Sequence, residues 1–582
     1  TGGSLHDGIW LPDPLSSPAI DAGNPEQDIG TETSPNGGRV NQGAYGGTDE
    51  ASRTSSGRVV ALLDPVGNTC WDTGSRSILW RLTGQGWNGT ETFTIVYTGD
   101  NEATWSTITE AAPASEGMYA WDVTGLPASP LYRIHLVCNE DASAEDTSNL
   151  FRVGQGAAFY VNDASTNKDV YCTAAGSAAG DGLSPAMPNT SLQYILDTYV
   201  LQPGDTVWLD TGTYNLTSNV IIGPEDEGAA DNPLRILGSL NGTFLERNAP
   251  DTETSRVLTV TGDYVQLGDY VNPIQLSGGY YGISLEGTGD EARNCNIQGC
   301  GDRGVSLTGE ECTVADCVVE DNLGTGIYCY AEDAGALIRR NRVQRNAAQG
   351  IYVWVEGVVW GSSYGANVVL RYNLITNNGG CGIYTGNDQD GGVTLINNTV
   401  ANNESHAFFA TSTSSTVPAF LNARNNIFCT DGTGRICVYL ERNLAGALDY
   451  NTYYTTGGAS AGFYAQAIRA RLGEWRAATG QDLQTLEADP LFADPDNSNY
   501  HLMSTGGRFD AGLWVYDAES STAIDAGDPA DEVGYEEAPN GSRINQGCFG
   551  SSIEASRTPA DRVLSFLDPA GNTCWETGVQ VI

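Results

Sequence analysis

Lysine is almost missing from this chain. One residue in 582, Lys168, supplies it, so a mechanism that needs a lysine base has a single candidate. Basic residues are scarce altogether: 28 Lys and Arg stand against 72 Asp and Glu, and the net charge is −44. Such a surface repels phosphate and argues against nucleic acid or an anionic membrane surface as a partner. No run of about 18 apolar residues occurs, so no segment has the length of a spanning helix. The four histidines form no visible pair with a Ser or Cys nucleophile. The 13 cysteines include no CxxC spacing of the kind that holds zinc.

Glycine is plentiful, with 72 residues, as tight turns require. Hydrophobic residues at 40% and charged residues at 17% describe a folded chain rather than a disordered one. The acidic, Gly-rich, Cys-bearing composition points to an extracellular or cell-surface protein.

A long repeat runs through the sequence. Residues 1–78 match residues 505–582 at a constant offset of 504 without a gap, and 42 of the 78 positions are identical. Ala19-Ile20-Asp21-Ala22-Gly23 returns as Ala523-Ile524-Asp525-Ala526-Gly527, and Gly67-Asn68-Thr69-Cys70-Trp71 as Gly571-Asn572-Thr573-Cys574-Trp575. The expectation is one period plus an overlap from a tandem array. Residues 1–57 are then the tail of a preceding repeat, and 558–582 the first strands of the next.

Residues 58–154 alternate in short runs separated by turn residues: Arg58–Asp64, Ser77–Leu82, Thr92–Tyr97, Ala103–Ile108, Tyr119–Val123, Tyr132–Val137 and Leu150–Val153. Seven short strands in this length read as a β-sandwich. They resemble an immunoglobulin-like or fibronectin type III-like domain, with Trp80 as the core tryptophan and Cys70 and Cys138 as a possible disulfide.

Residues 155–557 carry a shorter period. Gly282-Ile283, Gly304-Val305, Gly326-Ile327, Gly350-Ile351 and Gly382-Ile383 recur at spacings of 22, 22, 24 and 32 residues. After each pair the side chains alternate inward and outward. Asn341, Asn373, Asn398, Asn425 and Asn451 recur later in each coil, with Asp316 and Cys295 in the same place earlier. A second polar position follows at Asp321, Asn346, Asn378 and Asn403. Stacked Asn at a turn of successive coils forms a ladder, so the pattern predicts an all-β chain whose centre is a right-handed parallel β-helix. Thr190–Leu201 reads as an amphipathic capping helix with Thr190 and Gln193 as its capping box, and Tyr464–Ala478 as a second helix ending at Gly480.

Phe159-Tyr160-Val161-Asn162-Asp163, Gly180-Asp181-Gly182 and Pro203-Gly204-Asp205-Thr206 resemble the entry of β-helix proteins of the carbohydrate-binding and sugar-hydrolase type. Asp489-Pro490-Leu491-Phe492, the Ala523–Pro529 segment and Asn545-Gln546-Gly547 are similar to their exit. Large secreted repeat proteins of planctomycete-like bacteria carry such tails. The resemblance implies fold and compartment rather than activity, because the fold hosts lyases, hydrolases, adhesins and shafts.

Lyases of this fold use an Arg or Lys base beside acidic Ca²⁺ ligands. Lys168 precedes the coils, leaving Arg339, Arg340, Arg342, Arg345 and Arg371 within them. An Arg needs strong help to lose its proton, and pairing with nearby acids is the ordinary fate of such residues. Asp388 and Asp390 are weak Ca²⁺ candidates; no other cofactor is implied. Tyr328, Tyr330, Tyr352, Trp354 and Tyr384, with Trp360 in the longest coil, form an outward aromatic stripe suited to a glycan or to a neighbouring subunit. The leading expectation is a structural repeat of an extracellular fibre or giant surface protein, partnered by copies of itself. A glycan-binding adhesin comes next, then a polysaccharide lyase or hydrolase.

Overall fold

The computed structural model describes residues 4–6, 9–11, 17, 19–67, 69–332, 335–356, 367–387, 392–412, 419–441 and 444–559. Trp360, Asp388, Asp390 and residues 560–582 lie outside the described residues. The chain divides into two compact units, Thr1–Ala157 and Ala158–Ile582.

In the first unit, Arg58–Asp64, Ser75–Gly84 and Met118–Asp122 make a three-stranded sheet. Cys70–Trp71, Phe151–Val153, Ser129–Cys138, Thr92–Thr98 and Ser106–Pro113 run in order through a second, with Asp141–Thr147 also on Ser129–Cys138. Alternate side chains from both sheets form one core around Trp71, Trp80, Phe93, Tyr132, Ile134 and Phe151. Trp80 is 3% exposed, and its Nε1–H donates to Ala114 O at 2.9 Å.

The Cys70–Cys138 disulfide does not form; neither cysteine is bridged to the other. Cys70 lies beside Arg152, and the adjacent Phe151 faces Tyr132. Cys138 stands six residues beyond Tyr132 on the same strand, about 20 Å away at the rise of a β-strand. Bridged cysteines need Cα atoms about 6 Å apart.

The second unit is built from three sheets of eleven strands each. Ten successive coils, from Thr206 to Tyr464, contribute one strand to each sheet in turn, for example Leu337–Arg339, Arg342–Gln344 and Ile351–Val355; Ala158–Val161 before them adds to the first sheet alone, and Ala467–Arg469 and Leu486–Glu487 after them to the third and second. Neighbouring coils pair in parallel, Ile338 beside Leu370 and Val343 beside Ile375, so their inward side chains stack in columns. Eleven strands at about 4.8 Å give a shaft of about 50 Å. The coils begin at Ala158, well before the first Gly-Ile pair.

Two ladders of buried asparagine run along the shaft. In the first, Oδ1 of Asn373 accepts both the backbone and the side-chain N–H of Asn341. The same double contact links Asn373 to Asn398, Asn398 to Asn426 and Asn426 to Asn451, all at 2.9–3.1 Å. The ladder member is therefore Asn426, not Asn425, and the earlier rung is Cys317, not Asp316. Asn322 takes the place expected for Asp321 in the second ladder, which continues through Asn346, Asn378 and Asn403. The reason is the turn geometry. Asp316, Asp321, Arg340, Arg345, Asn377, Asn402 and Asn425 have φ between +53° and +60°, and the rung is the residue after each. Asp and Asn suit the left-handed position as well, so the two neighbours exchange roles in an Asn-Asn pair.

The glycines of the Gly-Ile pairs face the second ladder. A Cβ on Gly326 would lie 2.6 Å from Val343 Cγ1 and 2.8 Å from Asn346 Nδ2, and one on Gly350 as near to Ile375 and Asn378. Close approach, not backbone freedom, demands glycine there.

The first capping helix is Leu192–Thr198, and Ser191 rather than Thr190 caps it by accepting from Tyr194 N at 3.2 Å. The second is Leu472–Thr479 with Gly480 as its left-handed C-cap; the expected start at Tyr464 is strand instead. Here the shaft closes. Ala467–Arg469 turns back antiparallel onto Ser460–Tyr464, and buried Trp475 lies against Gly462, where a Cβ would come within 2.0 Å of its ring. Buried Asp482 ends the first ladder, accepting from Asn451 Nδ2, Tyr453 Oη, Trp475 Nε1 and Thr485 Oγ1.

The two copies of the tail fold alike. In the first unit Asn41 Oδ1 accepts from Asp21 N, Glu32 Oε1 from Asn41 N, and Ser52 O from Asn41 Nδ2, at 2.7, 2.7 and 2.6 Å. In the second, Asn545, Asp525, Glu536 and Ser556 repeat these contacts at 2.8, 2.8 and 2.6 Å.

Candidate functional site

The aromatic stripe occupies the third sheet. Tyr328, Tyr352 and Tyr384 stand in register on successive strands, and Phe409, Tyr439 and Phe463 extend the column. Adjacent ring centroids lie 5.2, 4.9, 4.9, 4.7 and 4.2 Å apart, with planes within about 20° of parallel. The Arg303 guanidinium covers the outer face of Tyr328 at 3.5 Å. The faces on which a sugar ring would stack are thus taken by neighbours, and the column presents ring edges. Phe409, Tyr439 and Phe463 were missed because Tyr-to-Phe changes and longer turns obscure the period in sequence.

Tyr330 and Trp354 form a second, shorter row two residues further along the same strands. Both are half-buried. A Cβ on Gly386 would lie 2.4 Å from the Trp354 ring, so this glycine gives the indole a bed on the next coil.

Arg339, Arg340, Arg342 and Arg371 lie around the turn between the first and second sheets, and Arg345 at the turn between the second and third. Arg340 makes a two-pronged contact with Asp316, at 2.6 and 3.1 Å. Arg345 pairs with Asp321 and Glu320, each at 2.8 Å. Arg339 and Arg371 are register neighbours, and neither Nε has a hydrogen-bond partner. Arg342 is exposed on the outward face of the second sheet and has no ion pair within 4 Å among the described residues.

A cavity of about 300 Å³ opens beside these groups. Arg340, Asn341, Arg342, Tyr372 and Leu374 form one wall, and Cys548, Phe549, Ser552, Ile553 and Glu554 of the tail form the other. The tail is held there because Ala523, Ile524 and Cys548 pack on the outward Leu374, Ala401 and Ile427. His501 Nε2 lies 3.2 Å from Glu554 Oε2. That hydrogen bond, with the His501 and Arg342 charges, holds the Glu554 carboxyl below its usual range. The cavity has a cationic wall, an apolar floor and one carboxylate, a combination suited to an acidic ligand of about one sugar ring. Its walls are far apart in sequence, so only the Arg wall was legible there.

Comparison with known proteins matches a family model described as right handed beta helix region to residues 272–428. Among solved structures the chain is similar to pectate lyase Pel9A, at 17% identity over 68% of this chain and 97% of that one, with a TM-score of 0.42. It is also similar to the catalytic unit of a thermostable GH87 alpha-1,3-glucanase from Streptomyces thermodiastaticus strain HF3-3. That match has 11% identity over 70% and 92% of the two chains and a TM-score of 0.29. The search of the curated proteins found no match. The three sheets of parallel-stacked coils, together with the family match inside them, make the second unit a right-handed parallel β-helix.

Proposed function

We propose that the chain is a structural repeat of an extracellular or cell-surface array. In this reading the β-helix is a stiff rod and the sandwich, read as immunoglobulin- or fibronectin-like, a spacer. The carrying observation is the tail module, present twice at an offset of 504 residues with the same internal hydrogen bonds. Stiffness follows from the ladders: bending the shaft would stretch hydrogen bonds buried from water, and unsatisfied buried groups are costly. Electron microscopy of the native material, beside its denatured chain mass, tests the reading. Extended objects with a regular axial repeat support it; compact particles of a chain near 62 kDa overturn it.

A second reading, binding of an acidic glycan, is favoured by the cavity beside Arg342 in a chain of net charge −44. Titration with a uronic-acid oligosaccharide and a neutral one tests it. Binding of the acidic ligand, weakened about tenfold in Arg342→Ala, is the expected result. Equal affinity for the neutral sugar removes the basis of this reading. Appearance of unsaturated products would make the site a lyase.

A further inference from the structure

The strip Asn545–Phe549 is where the tail of the second unit meets its own β-helix. Asn397 Nδ2 donates to Asn545 O at 2.7 Å, Gly547 N to Asn425 O at 2.8 Å and Cys548 N to Thr399 Oγ1 at 3.0 Å. The Gln546 amide completes the contact, donating to Tyr450 O at 2.6 Å and accepting from Thr452 Oγ1. Gln546 is 1% exposed and Cys548 9%.

The matching strip of the first unit is Asn41–Tyr45. Its internal fold is the same, down to the Gln42 Nε2–Ala22 O bond at 3.0 Å against Gln546–Ala526 at 3.1 Å. Its surroundings are not. Gln42, Gly43 and Ala44 are exposed, and Tyr45 is 63% exposed. Among the described residues nothing accepts from Gly43 N or Ala44 N. The contacts made by Asn545–Cys548 use backbone atoms and one glutamine, and Asn41, Gln42 and Gly43 keep the same residues. The contacts of the Asp531 carboxylate, with Arg424 at 2.7 Å and with Asn425 Nδ2 at 2.7 Å, are the ones whose carboxylate has no counterpart, because Gln27 stands in place of Asp531.

We propose that Gln42–Tyr45 is a docking strip for a second copy of this β-helix, seated on the turn face that Asn397, Thr399, Asn425, Tyr450 and Thr452 form here. The proposal rests on the array reading and names its joint. Each β-helix is closed by the tail that follows it, and residues 19–54 do for a preceding copy what 523–558 do for this one. Within the 582-residue chain that face is already covered by its own tail, so the strip finds no vacant partner in a second molecule.

The test joins residues 1–504 directly to a second full copy of the 582-residue chain. In this fusion the first β-helix lacks its own tail and is followed by residues 1–57 of the next copy. Amide hydrogen exchange is read in both proteins. In the 582-residue chain Gly43 and Ala44 exchange quickly, while Gly547 and Cys548 exchange slowly. In the fusion the internal Gly43 and Ala44 slow by at least about 100-fold, and Gly43→Val there restores fast exchange. Fast exchange of the internal strip in a folded fusion overturns the proposal. So does failure of the first β-helix to fold, because residues 1–57 then cannot replace the native tail. Extended arrays by microscopy together with an unprotected strip would leave the array standing and refute this joint alone.

Discussion

Asn341 and Asn373, one coil apart, share a single oxygen: Oδ1 of Asn373 takes the backbone N–H and the side-chain N–H of Asn341, each at 3.0 Å. Both residues are buried, and Asn373 Nδ2 also donates to Ile338 O. Asn373→Ala leaves two donors and one carbonyl without partners inside the shaft. At about 1–3 kcal/mol for each stranded group, we expect a loss of at least about 3 kcal/mol. A fall in urea midpoint checks this; a loss under about 1 kcal/mol would show that water fills the gap without penalty.

The aromatic column gives a second expectation. Tyr352 is stacked on both sides, by Tyr328 and Tyr384. Tyr352→Ala removes two ring pairs worth about 0.5–1.5 kcal/mol each and splits the column, so the near-ultraviolet circular dichroism should fall by more than one tyrosine's share. A change proportional to one ring would mean that the rings do not stack in solution.

Acidity should stabilise this protein. Burial pushes the carboxyls of Asp226, Asp290 and Glu536 up to about 7, above the value near 4 of an unfolded chain. The folded state therefore holds more protons between about pH 4 and 7. Stability is full below the unfolded value and is lost as pH rises through 7. Opposing groups act lower: Thr104 and Thr98 hold Asp100 down to about 2, and its contribution persists until pH falls below 4. The melting temperature should thus be higher at pH 5 than at pH 8, and Asp290→Asn should flatten the slope. A maximum at pH 8 contradicts the assignment.

Thiol labelling separates unbridged cysteines from a bridge. Cys70 is half-buried, while the other described cysteines are buried. Burial pushes the thiols of Cys300, Cys312, Cys329, Cys437 and Cys548 up to about 12, far from the reactive thiolate. Without reductant, iodoacetamide should label Cys70 first among the described cysteines and the buried ones only on unfolding. An unfolded, unreduced chain that leaves Cys70 and Cys138 unlabelled would restore the disulfide.

The shaft was legible where stacking imposes a residue type. Gly326 and Gly350 approach a ladder too closely for any side chain, and an Asn amide is the group that can both give and take along a column. Identity alone could not choose between Asn425 and Asn426, since the left-handed turn and the rung accept the same residue. The coils before residue 270 fall inside the 155–557 expected for the β-helix but show no Gly-Ile or Asn period, because their turns use other groups, such as Thr243 and Asp210, each bonded in its own way. The cavity was invisible for a different reason: Arg342 and Glu554 meet only after the tail folds back over the second sheet.

The reversed strand Ala467–Arg469 and the indole of Trp475 bear on how such molecules avoid one another. A parallel coil ends in open hydrogen-bonding groups that any other coil could extend. Turning the chain against its own direction makes the third sheet's final edge the wrong polarity for another parallel coil, and the indole blocks the interior columns. Growth by coil-on-coil addition through the third sheet is barred at that end.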